Sequence, residues 1–217
     1  MRALRVRAAR PGNRAVPDID GRALDRILLE LRADGISVSD DFLPSCDVHA
    51  LAECAAARRA RGDFAEARIG ADRSLQRRED IRGDRICWLA EPAFPTEALL
   101  LRSLEQLRLR LNEGAYLGLF GLEIHYAWYP PGTAYSLHVD RPLGSAARRV
   151  SFVLYLNEQW SAADGGALRI RADNGLFRDI EPLGGRLVLF LSESREHEVL
   201  VTRVPRLSLT GWFRGRE

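Results

Sequence analysis

Tyr135-Ser-Leu-His138-Val-Asp140-Arg-Pro142 is the stretch around which the rest of this 217-residue chain reads as scaffolding. Side chains alternate faces along a strand, so His138 and Asp140, two positions apart, project from the same side. A neutral imidazole nitrogen and a carboxylate oxygen converging on one point supply two of the three ligands of a facial metal site. Two histidines and one carboxylate on one face of an octahedron leave three positions open for exchangeable ligands. The missing histidine must come from elsewhere, and only His49, His125 and His197 remain. A His-x-Asp tripeptide alone is weak, because such short motifs recur by chance. A hydrogen-bonded structural histidine is the competing reading.

The downstream sequence strengthens the metal reading. His197 follows the apolar strand Leu187-Val-Leu-Phe-Leu191 within Ser-Glu-Ser-Arg-Glu-His197-Glu-Val. Nine residues later Arg206 opens a last strand, Arg206-Leu-Ser-Leu-Thr-Gly-Trp-Phe213. Period two places Arg206, Ser208, Thr210 and Trp212 on one face of it. A guanidinium, two hydroxyls and an indole on one face form a binding surface for an anion. A salt-bridged arginine at a strand end is the simpler alternative.

Composition narrows the chemistry. Apolar residues make up 46% and the formal net charge is +2, which indicates neither disorder nor a basic nucleic-acid-binding excess. All 32 basic residues are arginine. The absence of lysine excludes Schiff-base catalysis and a P-loop lysine, and leaves arginine or neutral donors to hold any anion. Cys46, Cys54 and Cys87 have no C-x-x-C spacing, and their odd number argues against a disulfide framework. No apolar run approaches the ~18 residues of a membrane span. Met1 to Arg14 holds five arginines and no acidic residue but lacks an apolar signal core. The expectation is a cytoplasmic protein with a flexible basic arm over residues 1–20 and one domain over 21–217, with no nucleic-acid or membrane partner.

Along the chain, Leu24, Ile27, Leu28 and Leu31 follow helical spacing, with Gly35 as the stop. Residues Gly35 to Leu43 read as a short strand and turn. Ser45 is placed to cap a second helix through Ala60. Thr96 to Leu111 forms a third helix whose stripe Leu100, Leu104, Leu107 and Leu111 faces a sheet. From Leu122 onward seven or eight short strands alternate with turns, punctuated by Gly165-Gly166 and Gly184-Gly185. The predicted fold is α+β and mainly β. Two sheets close into a double-stranded β-helix, a jelly-roll or cupin-like relative, with the N-terminal helices packed on one sheet. The site is expected in its mouth.

These features together resemble the Fe(II)/2-oxoglutarate-dependent dioxygenases. More closely, the chain is similar to the prolyl hydroxylases of the hypoxia-inducible-factor type and their bacterial relatives. The carrying segments are Asp80 to Trp88, Tyr129-Pro-Pro-Gly132, Tyr135 to Asp140, Val153 to Trp160, Gly165 to Ile170, Asp179-Ile-Glu-Pro182 and His197-Glu-Val199. They stand in the family's order from about Leu24 to Phe213.

The resemblance implies that His138, Asp140 and His197 hold Fe(II). 2-Oxoglutarate then chelates the metal and dioxygen takes the remaining position, with ascorbate as a reductant. Arg206 offers bidentate geometry to the far carboxylate. Tyr155 matches the family tyrosine that supports this contact, and Ser208 makes the wider superfamily's Arg-x-Ser pattern, so either or both serve. Tyr129 and Leu168 match pocket walls, and Thr210 and Trp212 match positions near the iron and the substrate mouth. Arg82, Asp84, Tyr135 and Arg148 match the substrate side, where pairing of Asp84 with Arg148 is the structural alternative to substrate contact. In the family, residues Ala67 to Asp80 form a loop beside the site that folds over the polypeptide, the alternative being a surface hairpin. His125 reads as structural and His49 as exposed.

The implied reaction hydroxylates a prolyl residue in a protein substrate, releasing succinate and CO2. It is iron-centred and needs no separate acid–base pair. Three alternatives stay open: a hydroxylase of a free amino acid or small molecule, a non-catalytic jelly-roll binding protein, and a zinc hydrolase on the same ligands.

Overall fold

A computed structural model describes residues 21–40, 42–67, 82–140 and 147–216. The basic arm at 1–20, loop residues 68–80 and the Arg141 and Pro142 of the opening stretch lie outside the described residues.

Three helices precede most of the sheet structure. Helix α1 (Gly21–Asp34) buries Leu24, Ile27 and Leu31. It stops where expected: Gly35 adopts φ +62°, and its N–H donates to the Leu31 carbonyl at 3.1 Å. Helix α2 (Ser45–Ala60) is capped by Pro44 rather than Ser45, which is already its first helical residue. Helix α3 runs from Pro95 to Ala115, longer at both ends than its leucine stripe predicts. The buried carboxylate of Glu97 explains the early start, because it accepts from the Ala93 and Phe94 N–H groups at 2.7 and 3.2 Å. No helix among the described residues is long and apolar enough to cross a membrane.

Eleven antiparallel strands are described: β1 (Ile36–Ser39), β2 (Ala65–Glu66), β3 (Arg85–Trp88), β4 (Gly121–Tyr129), β5 (Tyr135–His138), β6 (Arg148–Tyr155), β7 (Leu168–Arg171), β8 (Phe177–Ile180), β9 (Leu187–Leu191), β10 (His197–Val199) and β11 (Arg206–Arg214). They form a seven-stranded sheet ordered β1-β9-β6-β11-β4-β3-β2 and a four-stranded sheet ordered β5-β10-β7-β8.

The centre of the large sheet is buried on both faces, and strand alternation decides what each face does. Phe152 and Leu154 of β6, with Leu187 and Leu189 of β9, pack under the helices alongside the α3 leucines. The interleaved Val153, Tyr155, Val188 and Phe190 turn the other way, against Leu168, Ile170 and Ile180 of the small sheet. This is the expected mainly-β architecture with helices on one sheet. The inter-sheet space holds this apolar cluster and, at its polar end, His138, Asp140, His197 and Arg206.

Candidate metal and cosubstrate site

The polar end is built by pairing distant strands. His197 of β10 lies directly opposite His138 of β5, and Asp140 follows two residues after that strand position. The His138 and His197 Nε2 atoms lie 3.7 and 3.5 Å from the two Asp140 carboxylate oxygens. One potential ligand atom from each residue lies within 4.8 Å of the others, a spacing that suits a single metal ion.

The neighbouring groups prepare all three for that role. His138 Nδ1 is 2.8 Å from the Ser136 carbonyl, and His197 Nδ1 is 2.9 Å from the Arg195 carbonyl. A carbonyl can only accept, so Nδ1 carries the proton in each ring and Nε2 keeps a free lone pair. Burial lowers the His197 pKa and favours its neutral, ligating form. Burial alone would raise the Asp140 pKa, but His197, His138 and the Ser151 hydroxyl together hold it well below the carboxylate range. Ser151 donates to Asp140 Oδ2 at 2.7 Å and is linked at 2.8 Å to Ser192.

Arg206, at the start of β11, is 1% exposed. Its Nε donates to the Gly166 carbonyl at 2.9 Å. Gly166 has φ +65°, and a Cβ there would stand 3.1 Å from the Arg206 side chain, so the double-glycine turn lets backbone and guanidinium approach. The Tyr129 and Tyr155 rings flank the guanidinium at 4.9 and 5.1 Å. No carboxylate among the described residues forms an ion pair with it. The buried Tyr155 hydroxyl also lacks a hydrogen-bond partner among the described residues. A buried cation beside an idle hydroxyl fits the planar, anionic carboxylate of a bound ligand.

One cavity joins these parts. It is lined by every sequence-predicted site residue except Tyr155 and Ser208. The Tyr155 ring stands beside the Arg206 guanidinium, and the Ser208 hydroxyl sits 3.3 Å from that of Thr210.

At the mouth, Tyr135 stacks on His138 at 3.7 Å, and Arg82 lies over the Tyr135 ring at 4.7 Å. The predicted Asp84–Arg148 pairing is not formed. Asp84 pairs with Arg82 through contacts of 2.6 and 3.0 Å, because both side chains leave the same face just before β3. Arg148 instead lies 3.5 Å from the Trp212 ring and donates to Glu123 and to the Asp140 carbonyl, each at 3.3 Å. His49 is exposed, as expected, and is 2.5 Å from Glu158.

The wall residues Ala127, Val153, Phe190 and Val199 were not singled out in the sequence. Strand alternation from Tyr129 and Tyr155 points to the first two. His125, expected to be structural, lines the cavity, and neither ring nitrogen has a hydrogen-bond partner among the described residues.

Residues 124–214 match the 2OG-Fe(II) oxygenase superfamily, a span that contains the whole ligand cluster and Arg206. A crystal structure of a Pseudomonas putida prolyl-4-hydroxylase is 42% identical, with TM-score 0.82, over 89% of this chain and 100% of that one. The chain belongs to the 2OG-Fe(II) oxygenase superfamily. Members of this superfamily use Fe(II), 2-oxoglutarate and dioxygen, and the His138, Asp140 and His197 donors suit the metal. A Trichoplax adhaerens prolyl hydroxylase, solved with a peptide fragment of the hypoxia-inducible factor oxygen degradation domain, matches with TM-score 0.82 and 26% identity, over 89% of each chain. A Caenorhabditis elegans hypoxia-inducible factor prolyl hydroxylase is 40% identical over 91 residues. That match covers 40% of this chain and only 12% of the worm protein.

Proposed function

We propose that the protein hydroxylates prolyl residues of a protein substrate, at the 4-position, using Fe(II), 2-oxoglutarate and dioxygen. The observation that carries this reading is the cavity shared by the His138–Asp140–His197 cluster and the buried guanidinium of Arg206, which forms no ion pair among the described residues. His138, Asp140 and His197 are assigned as the iron ligands. Arg206 is assigned to the far carboxylate of 2-oxoglutarate, with the Tyr155 hydroxyl as its second donor. Tyr155 is preferred over Ser208 because its hydroxyl is idle while that of Ser208 lies near Thr210. When bound, the metal would activate dioxygen, the oxidant, one of whose oxygen atoms goes to succinate as 2-oxoglutarate loses CO2 and the other to the C–H bond.

The protein's own residues bind, orient and exclude water. Leu168, Val153 and Phe190 give the cosubstrate pocket dry walls, and Tyr129 closes the side of Arg206. No side chain needs to move a proton in the hydroxylation itself. The mouth, with Tyr135, Arg82, Arg148 and Trp212, is assigned to the polypeptide. The choice of a prolyl residue rests on likeness to the Pseudomonas and Trichoplax proteins. The test is incubation of the full chain with Fe(II), 2-oxoglutarate, ascorbate and a library of capped, proline-centred pentapeptides. Mass spectrometry should find one added oxygen on the proline, in step with succinate release. Succinate release stimulated by free amino acids but by no peptide would refute the protein-substrate reading.

A further inference from the structure

His125 occupies the middle of β4, on the face turned toward the cavity, two residues before Ala127 and four before Tyr129. Its ring is 1% exposed, and neither Nδ1 nor Nε2 has a hydrogen-bond partner among the described residues. The indole Nε1 of Trp212, whose ring lies 5.5 Å away, is likewise buried and unpartnered. Trp88 completes the group at 4.9 Å from His125 and 6.4 Å from Trp212. Half-exposed, Trp88 extends this aromatic cluster to the protein surface.

A hydrophobic core gains nothing from such an arrangement. Phenylalanine or leucine would fill the same space without stranding two ring nitrogens away from water. Native proteins pair nearly all buried polar groups, so adjacent unpaired ones on a cavity wall indicate a ligand that completes them. The chemistry of that ligand follows from the donors. A neutral imidazole offers one donor and one acceptor, and the indole offers one donor. The charged groups facing His125 are the cations Arg82 and Arg148 and the anion Asp140, and burial with the two cations keeps the ring neutral. An anionic ligand group would go to the arginines. A neutral ring with one donor and one acceptor instead matches an amide, while the flat faces of Trp88 and Trp212 suit the apolar atoms beside it.

We infer that His125, together with Trp212, hydrogen-bonds a main-chain amide of the polypeptide flanking the target residue, and so positions that residue at the metal. This inference rests on the protein-substrate reading above. His125 becomes a substrate-positioning residue further along the sheet face that carries Tyr129 and Arg206.

The test uses the full chain loaded with Mn(II) and 2-oxoglutarate, which binds without turnover. The probe is whichever capped pentapeptide the wild type hydroxylates most strongly. His125→Phe and His125→Leu should weaken peptide binding about tenfold, with 2-oxoglutarate affinity unchanged. Both should raise the melting temperature by roughly a few degrees, since each removes an unpartnered buried polar group. His125→Gln, which keeps a donor and an acceptor, should recover part of the peptide affinity. Unchanged peptide affinity in the Phe and Leu variants would overturn the inference while leaving the protein-substrate reading intact. So would a lower melting temperature in both with no recovery by Gln, the signature of a structural histidine. If the wild type hydroxylates no peptide of the library, the protein-substrate reading fails and takes the amide contact with it.

Discussion

His138 and His197 face each other across β5 and β10 with ring centroids 4.2 Å apart, although β6 to β9 intervene between them in the chain. Antiparallel pairing brings both rings to one side of the small sheet, and Asp140 closes the triangle. Backbone carbonyls fix the tautomers before any metal arrives, so the site is organised in advance.

Replacing a ligand should abolish binding, while replacing its support should only weaken it. His138→Ala and Asp140→Ala are expected to lose Mn(II) binding measured by electron paramagnetic resonance. Ser151→Ala removes the 2.7 Å bond that orients Asp140. It should lower metal affinity about ten- to a hundredfold, as outer-shell substitutions do. Wild-type affinity in Ser151→Ala would show that Asp140 is held well enough without it.

The cosubstrate end should respond independently of the metal. Arg206→Ala is expected to weaken 2-oxoglutarate by about 2–3 kcal/mol, the loss of a charged hydrogen-bond partner, with Mn(II) still bound. Tyr155→Phe should cost about 1 kcal/mol of the same binding. Ser208→Ala should cost less than Tyr155→Phe. Titration calorimetry reads all three, and a larger loss from Ser208→Ala would reverse the assignment of the second donor.

Beneath the helices, Arg58 makes a two-pronged contact with Glu97 at 2.7 and 2.8 Å, and the Tyr126 hydroxyl donates to the same carboxylate at 3.1 Å. Burial opposes the charge on Glu97, yet Arg58, the Ala93 N–H and Tyr126 together lower its pKa. Removing one partner strands the other, so Glu97→Ala should destabilise the fold by about 3–5 kcal/mol in chemical denaturation. Because the folded pKa is depressed, this contribution is present above the unfolded carboxyl pKa and fades as pH falls below it. A loss under about 1 kcal/mol would mean the pair does little more than offset its own desolvation.

His125 carries an acid sensitivity of its own. Burial, aided by Arg82 and Arg148, lowers its pKa from 6.5 to about 3. The unfolded chain therefore takes up a proton that the folded chain refuses across that interval. Stability is unaffected by this group above pH 6.5 and declines as pH falls toward about 3. Denaturation midpoints measured across that range should fall less steeply for His125→Phe than for the wild type. Parallel curves would mean that His125 takes up its proton as readily in the folded protein as in the unfolded chain.

Much of the site was legible because period two is rigid. Arg206, Thr210 and Trp212 share one face of β11 whatever the rest of the chain does; His138 ends β5 and Asp140 lies just beyond it, and all five line the cavity. The leucine stripe of α3 was legible for the same reason at period 3.6. Capping was less so: Ser45 has the right chemistry, but Pro44 occupies the cap because its backbone is already extended. The partner of Asp84 was also missed, since side-chain pairing depends on reach and on competing partners. Arg148 had Glu123 and Trp212 within range, and Arg82 was two residues from Asp84.

The sequence alone determined the His138–Asp140 pair, the strand faces and the layer architecture, because these follow from residue type and local backbone period. Tertiary structure decided which histidine meets Asp140, which groups the ligands lean on, and which polar atoms are left without partners. Strand pairing sets the first through register, as His197 opposite His138 shows. Long-range packing sets the others. His125 is unremarkable as a letter between Ile124 and Tyr126, and acquires a role only when two tryptophans and a cavity enclose it.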